Sequence, residues 1–380
     1  MKSKPSYRCT GHVTAKGFAE FLAAELGESR RNLRLFESEL RTAFSAPWVT
    51  LVNSGSSANL VAAMLLKHHC GTRRRVLLSG FSFPTTVSSY SFCGFEIRLL
   101  DVEAGGFNLD PARLKQELDE RIAAVVVTHF LGFPASLGEI ARQAIAQGAL
   151  LIQDACETLN LCVQDRSIYE FGDVITHSFY HPHHLSSFGG GGVVVNSKEW
   201  HEHAQSLVHW GRACRCHYDV EGCPAPAGLA HNFWYSHEGL NSELSELNAC
   251  FARWQLRSWK AQEAKRWSHW QIWENALRGV PDVTVWPAKT NISPFVFPIR
   301  VPPERFATVT QLLFGRGVEV RSLMGGPIHH QPAFRNLAHS GLQNCEAMGN
   351  TTFFVGIHQT LETEEVRRAA AIVREVLEKP

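Results

Sequence analysis

Long apolar runs are missing from this sequence, and so is any bias of charge. No stretch of about 18 consecutive apolar residues occurs, the length that a membrane-crossing helix requires. The opening MKSKPSYRCTGHVTAKGF holds no apolar run of the kind a secretory signal carries, so a cytoplasmic location is expected. Lys and Arg number 37 against 36 Asp and Glu, which leaves no global field to gather nucleic acid or an anionic membrane. Internal repeats, low-complexity tracts and flexible linkers are absent as well. Lysine itself disappears between Lys115 and Lys198.

What is present suits a globular protein with a substantial core: 380 residues, 44% apolar and 19% charged. That length predicts one large domain, residues 1–260, and a smaller one, residues 261–380. Helical apolar spacing marks 18–26 and 32–44 near the start. From residue 48 short apolar runs (48–52, 76–78, 97–100, 123–127 and 150–152) alternate with helix-like stretches such as 57–67 and 137–147. Runs without polar alternation, spaced by helices, predict parallel strands covered on both faces, a doubly wound α/β domain. Two further apolar runs, 174–179 and 193–195, flank a loop rich in His and Gly. One long helix is expected over 243–277. The remainder reads as α+β, with strands at 283–286, 295–299, 318–320 and 352–355, a helix at 306–316 and a last helix over 362–377.

Ten cysteines in a chain of this size do not describe a disulfide framework, which belongs to short secreted domains. Cys9, Cys70, Cys93, Cys162, Cys250 and Cys345 are scattered and read as small buried hydrophobes. Cys214, Cys216 and Cys223 differ, since three thiols within ten residues suggest a shared ligand.

Three segments combine residue types that carry chemistry. Asn53-Ser54-Gly55-Ser56-Ser57-Ala58-Asn59 joins a strand to a helix, where exposed N–H groups and the helix dipole suit a phosphate; a simple N-cap would look the same. Gln153-Asp154-Ala155-Cys156-Glu157 follows a strand directly and aims carboxylates at the crevice where α/β folds bind ligands, although a helix-capping carboxylate also fits. Ser178-Phe179-Tyr180-His181-Pro182-His183-His184-Leu185 precedes Gly189–Gly192. Its three histidines could bind metal, act as bases, or simply line a surface loop.

In order and spacing these segments resemble the fold-type I, sugar-modifying aminotransferases of the DegT/DnrJ/EryC1/StrS family. Members read S-G-(T/S), then D-A-x-(Q/E), then S-F-x-x-x-K-N-L before a glycine-rich stretch. The resemblance implies a PLP or PMP cofactor, with Asp154 on the pyridine nitrogen and Glu157 near the 3-hydroxyl. Phe83, in Ser82-Phe83-Pro84-Thr85-Thr86, becomes the stacking platform, and Gly55, Ser56, Ser57 and Ser178 surround the phosphate. Asn241 is expected to reach that phosphate from a neighbouring subunit of a homodimer. His183 falls where family aminotransferases carry their cofactor-linked lysine.

S-F-Y-x-x-H-H resembles one subgroup, the PMP-dependent 4-keto-6-deoxysugar 3-dehydratases, in which the histidine moves a proton and the sugar's C3 hydroxyl leaves. One branch is metal-free. The other, similar to CDP-4-keto-6-deoxyglucose 3-dehydrase, carries a [2Fe–2S] cluster fed by a flavin/iron–sulfur reductase. Cys156, Cys214, Cys216 and Cys223, with gaps of 57, one and six residues, match that branch's long and single gaps and shorten its last gap by one. Zinc on four sulfurs, or on three with His217, is the competing ligand. Gly190 stands where related dehydrases often have Glu, and His329 in the loop Pro327–Pro332 resembles the substrate side. The implied substrate is a nucleotide-linked 4-keto-6-deoxyhexose. The rival of another class is a non-catalytic relative acting as a regulator or partner subunit.

Overall fold

The protein is described from a computed structural model, which covers residues 5–11, 15–25, 30–214, 216, 223–288 and 291–379. Its centre is an eight-stranded sheet in the order β1-β9-β8-β5-β4-β2-β3-β13. In chain order these are β1 (Trp48–Val52), β2 (Arg75–Ser79), β3 (Glu96–Leu100), β4 (Ile122–Thr128), β5 (Leu150–Asp154), β8 (Val174–Ser178), β9 (Gly191–Val195) and β13 (Ala338–His339). A small hairpin, β6 (Cys162–Val163) with β7 (Arg166–Ser167), lies outside the sheet. All but β9 run the same way, and β9 runs against both β8 and β1.

Every residue of β4 is buried, which explains why it reads as an unbroken apolar run. Side chains alternate between two apolar layers: Val76 and Leu78 enter one and Leu77 the other. Helices α1 (Phe18–Glu25), α2 (Arg31–Phe44), α3 (Gly55–His69), α4 (Pro84–Phe92), α5 (Pro111–Glu117), α6 (Leu137–Ala146) and α7 (Lys198–Val208) accompany these strands. The doubly wound α/β expectation is met.

The expected helix over 243–277 is two helices, α8 (Glu246–Leu256) and α9 (Trp259–Leu277). Ser258 between them leaves helical geometry at φ −115°, ψ 8°. Beyond them a four-stranded antiparallel sheet has the order β10-β11-β14-β12, from β10 (Thr284–Val285), β11 (Val296–Arg300), β12 (Arg321–Ser322) and β14 (Thr352–Gly356). It is joined by α10 (Pro303–Gly315), α11 (Gln343–Gly349) and α12 (Thr363–Glu378). The strand expected at 318–320 is displaced to β12, because Val318 instead bridges to Tyr7. Tyr7 also joins the apolar cluster of this region, with Trp270, Trp273, Phe297 and Phe353. Among the described residues, no helix is long and apolar enough to cross a membrane.

Candidate active site

A cavity of about 860 Å³ opens where the parallel strands end. Such a crevice at the carboxyl ends of strands is the ligand site of open α/β sheets. β1 delivers Ser54 and Gly55, β4 delivers Thr128, β5 delivers Asp154 and Cys156, and β8 delivers Ser178. The second sheet supplies Val296 and Phe354, with Arg321 and Ser322 from β12.

Ser54 caps α3 by accepting the Ser57 N–H at 3.0 Å. That leaves the Ser56 hydroxyl, 3.0 Å from Thr85 Oγ1, on the cavity side. Ser57 spends its own hydroxyl on Asn53 Oδ1 at 2.6 Å, so it completes the turn and does not line the cavity. Gly55 has a steric reason to be glycine: a Cβ there would lie 2.7 Å from the Ser178 Cβ and 3.1 Å from Cys156 Sγ.

Asp154 is only 4% exposed. One carboxylate oxygen accepts from Asn59 Nδ2 at 3.0 Å and from the Thr86 hydroxyl, and the other accepts the Cys156 N–H at 3.1 Å. All three donors are neutral, and no Lys or Arg among the described residues forms an ion pair with it. A buried carboxylate without a cation, aimed into a cavity, is a place for a cationic ligand group. Glu157 accepts the Leu131 N–H at 2.6 Å, and burial pushes its carboxyl up to about 8. Phe83, at the start of α4, is 51% exposed with its ring on the cavity.

His183 stands in the wall of the same cavity. Its ring stacks on Phe295, centroids 5.2 Å apart and planes 19° apart, and Nδ1 is buried without a hydrogen-bond partner. Burial, and then the Arg266 charge, hold the imidazole down at about 4, so it is neutral near pH 7. Arg266 on α9 fixes this loop: its guanidinium donates to the carbonyls of Pro182 (3.3 Å), His183 (3.4 Å) and Phe295 (2.9 Å). Nothing local in the sequence marks Arg266, because its partners lie far from it along the chain, Pro182 and His183 more than eighty positions upstream and Phe295 downstream. No lysine lines the cavity among the described residues.

The sulfur set departs from expectation. Cys214, Cys216 and Cys223 do come together, but with His231, whose Nε2 lies 3.1, 3.3 and 3.7 Å from their sulfurs. His231 donates its Nδ1–H to the Pro226 carbonyl at 3.0 Å, which turns the Nε2 lone pair toward the thiols. Mutual thiol contacts, with Cys223 first and Cys214 second, push Cys216 up to about 11. Cys156 is not in this group. Its place directly after β5 puts it on the cavity beside Asp154, and burial followed by that carboxylate drives its thiol far above the ordinary range. His231, eight positions after Cys223, is the residue of this group that the sequence reading missed. His217 lies outside the described residues.

Besides Ser57, two expected residues are placed away from the cavity. His329 faces Glu346, with Nε2 3.2 Å from the carboxylate. Asn241 is exposed and bridges to His209 outside its own chain's cavity. A side chain at Gly190 would press on Ser187 and Leu244, which shows why the small residue is kept there.

The fold is that of the PLP-dependent aminotransferases. The chain belongs to the DegT/DnrJ/EryC1/StrS aminotransferase family, whose match spans residues 11–374. It is 31% identical over 372 residues to dTDP-4-dehydro-2,6-dideoxy-D-glucose 3-dehydratase of Saccharopolyspora spinosa, covering 92% of this chain and 80% of that one. Transaminases are relatives too: dTDP-4-amino-4,6-dideoxy-D-glucose transaminase of Shigella dysenteriae is 23% identical over 346 residues, 90% of this chain and 89% of that one. In fold it matches the structure of Escherichia coli GDP-4-keto-6-deoxy-D-mannose-3-dehydratase with bound hydrated PLP, at TM-score 0.88, 19% identity, and 99% and 100% coverage.

Proposed function

We propose that this protein is a PMP-dependent dehydratase that removes the C3 hydroxyl of a nucleotide-linked 4-keto-6-deoxyhexose, drawing electrons through an iron–sulfur centre. The observation that carries this reading is His183: a neutral imidazole in the wall of a cavity that no lysine lines among the described residues. A transaminase needs the lysine; a dehydratase needs a base. The dehydratase name of the 31% identical relative points the same way.

The residues fit the cofactor. The unpaired Asp154 carboxylate suits a protonated pyridine nitrogen, and the α3 N-terminus with Ser56 and Ser178 suits a phosphate. Phe83 offers a ring face, and Glu157, kept protonated by burial, can donate to the 3-hydroxyl oxygen. When bound, the cofactor supplies an electron sink beside the sugar carbons. His183 holds and returns the proton. Replacing the C3 hydroxyl by hydrogen, with release of water, consumes two electrons and two protons; a flavin/iron–sulfur reductase is the proposed source of the electrons, and water supplies the protons. Cys214, Cys216, Cys223 and His231 would hold the cluster; nitrogen in place of one thiolate raises the potential of such centres. Cys156 lies apart from this group, on the cavity.

A homodimer completes the proposal, with Asn241 serving the partner's phosphate. Half-exposed Phe233, Trp234 and Tyr235 support such a face, because aromatic surface of this extent marks an interface. The division near residue 260 belongs to the same reading, and the separate apolar cluster around Trp270 and Trp273 supports it.

The test is turnover of candidate sugar nucleotides with PMP and a reductase. His183→Asn should keep PMP affinity and lose dehydration by about 10²–10⁴-fold. Anaerobic protein should carry about two irons and two labile sulfides per chain. Full activity of His183→Asn would sink the histidine-base reading, and stoichiometric zinc without sulfide would sink the cluster.

A further inference from the structure

Away from the cavity, three histidines from three parts of the chain converge. His68 lies on the last turn of α3, His203 on α7, and His237 in the segment between α7 and α8. One ring nitrogen from each lies within 4.8 Å of the others, and the ring centroids of His203 are 4.4 Å from His68 and 4.2 Å from His237. The opposite end of α3, about 20 Å away along a fifteen-residue helix, forms the cavity.

The environment of His237 gives the group a direction. The Ser206 hydroxyl donates to the Arg212 carbonyl at 2.9 Å and lies 3.1 Å from His237 Nδ1. With its own hydrogen committed, that hydroxyl accepts from Nδ1–H, and the Ser236 hydroxyl stands equally near. The tautomer this network selects leaves the Nε2 lone pair free. An outer partner on one ring nitrogen is the usual companion of a histidine that binds metal through the other. The backbone is fixed too, since the N–H groups of Ser236 and His237 both donate to the Gly211 carbonyl, at 2.8 and 3.2 Å. The second His cluster, His329 with His330, differs: both present Nε2 to Glu346, at 3.2 and 2.7 Å, and so are already satisfied.

We propose that His68, His203 and His237 form a mononuclear site for a borderline divalent cation, zinc above all, separate from the sulfur group. Three imidazoles with no carboxylate or thiolate select zinc, copper or nickel over magnesium and calcium. Nitrogens on one zinc at about 2.1 Å can be no more than about 4.2 Å apart, so a small turn of the exposed His68 side chain closes the site. Its effect follows from where the ligands sit. Residues 211–239, which carry the sulfur group, leave and rejoin the body where Trp210 N–H donates to the Leu240 carbonyl (2.7 Å) and Leu240 N–H to the Leu207 carbonyl (2.6 Å). A cation at His237 staples the base of that segment to α3 and α7.

The experiment is cobalt titration of the full chain with Cys214, Cys216 and Cys223 all changed to Ser, so that sulfur cannot report. One equivalent should bind, with visible ligand-field bands and no thiolate charge-transfer band. His68→Gln, on the surface, should weaken binding about tenfold or more, and Ser206→Ala about 10–100-fold, the usual loss for an outer partner. If the triple variant does not fold, the wild-type chain serves: a second cobalt equivalent should add ligand-field intensity without charge transfer, and His68→Gln should remove it. Absence of that equivalent, or its survival undiminished in His68→Gln, overturns the site.

Discussion

Asp154 and His183 occupy the same cavity in complementary states. Asp154 is a buried carboxylate whose three hydrogen bonds come from neutral donors, so its charge is solvated locally but left uncompensated. His183 is an imidazole that burial keeps neutral. A cation-bearing ligand therefore gains a charge-assisted bond at the first and a proton acceptor at the second. Asp154→Asn should weaken PMP binding by about 10–100-fold, the equivalent of one charged hydrogen bond of about 1.5–3 kcal/mol, as measured by equilibrium dialysis. Unchanged affinity would mean that the carboxylate faces no cation. Arg266→Met tests the support of His183: it strips the Pro182, His183 and Phe295 carbonyls of their donor. A destabilisation of about 1–3 kcal/mol is expected in denaturant unfolding, with turnover falling further than PMP affinity. Asp154 and His183 were legible in the sequence because each lies in a short motif following an apolar run, and those motifs resemble the family's. Arg266 and His231 were not, since their partners are brought to them by tertiary packing and a loop closure that no local spacing encodes.

At the level of elements, the cavity exists because β1, β4, β5 and β8 point the same way and stop at the same edge. Continuous apolar runs announced those strands, and the parallel arrangement followed from the helices between them. Where the apolar pattern was continuous but the backbone was not, the reading failed. The stretch 243–277 keeps helical spacing throughout, yet Ser258 breaks it into α8 and α9, and only the packing of each helix on a different layer reveals the joint. The turn into α3 is a tight junction at the site. Gly55→Ala should cost about 1–3 kcal/mol, since the new methyl meets Ser178 Cβ at 2.7 Å and Cys156 Sγ at 3.1 Å. It should also displace Ser178, so phosphate-dependent retention of PMP should fall. An alanine variant with wild-type stability and PMP binding would show that this junction yields easily.

Across the whole molecule, the buried histidines set how stability responds to acid. His129, His177 and His183 are held at about 4 and His184 well below the ordinary value, chiefly by burial. Each is neutral in the folded chain and takes up a proton below about 6.5 once unfolded. The folded state thus loses stability as pH falls from about 6.5 toward 4. Glu37 and Glu157, raised to about 8 by burial, act in the opposite sense: they are protonated when folded, and the stability they lend is lost as pH rises through 8. With His201 and His203, held at about 4 and about 3 chiefly by burial as well, six histidines against these two carboxyls leave a net uptake of about four protons on unfolding near pH 5, and a net release above neutrality. Urea unfolding of the chain without added cofactor should therefore be hardest near pH 6.5–7 and ease on both sides, more steeply in acid. A midpoint that stays flat from pH 6.5 to 4 would mean that these imidazoles are already charged in the folded protein, and His183 would then be the wrong protonation state for a base.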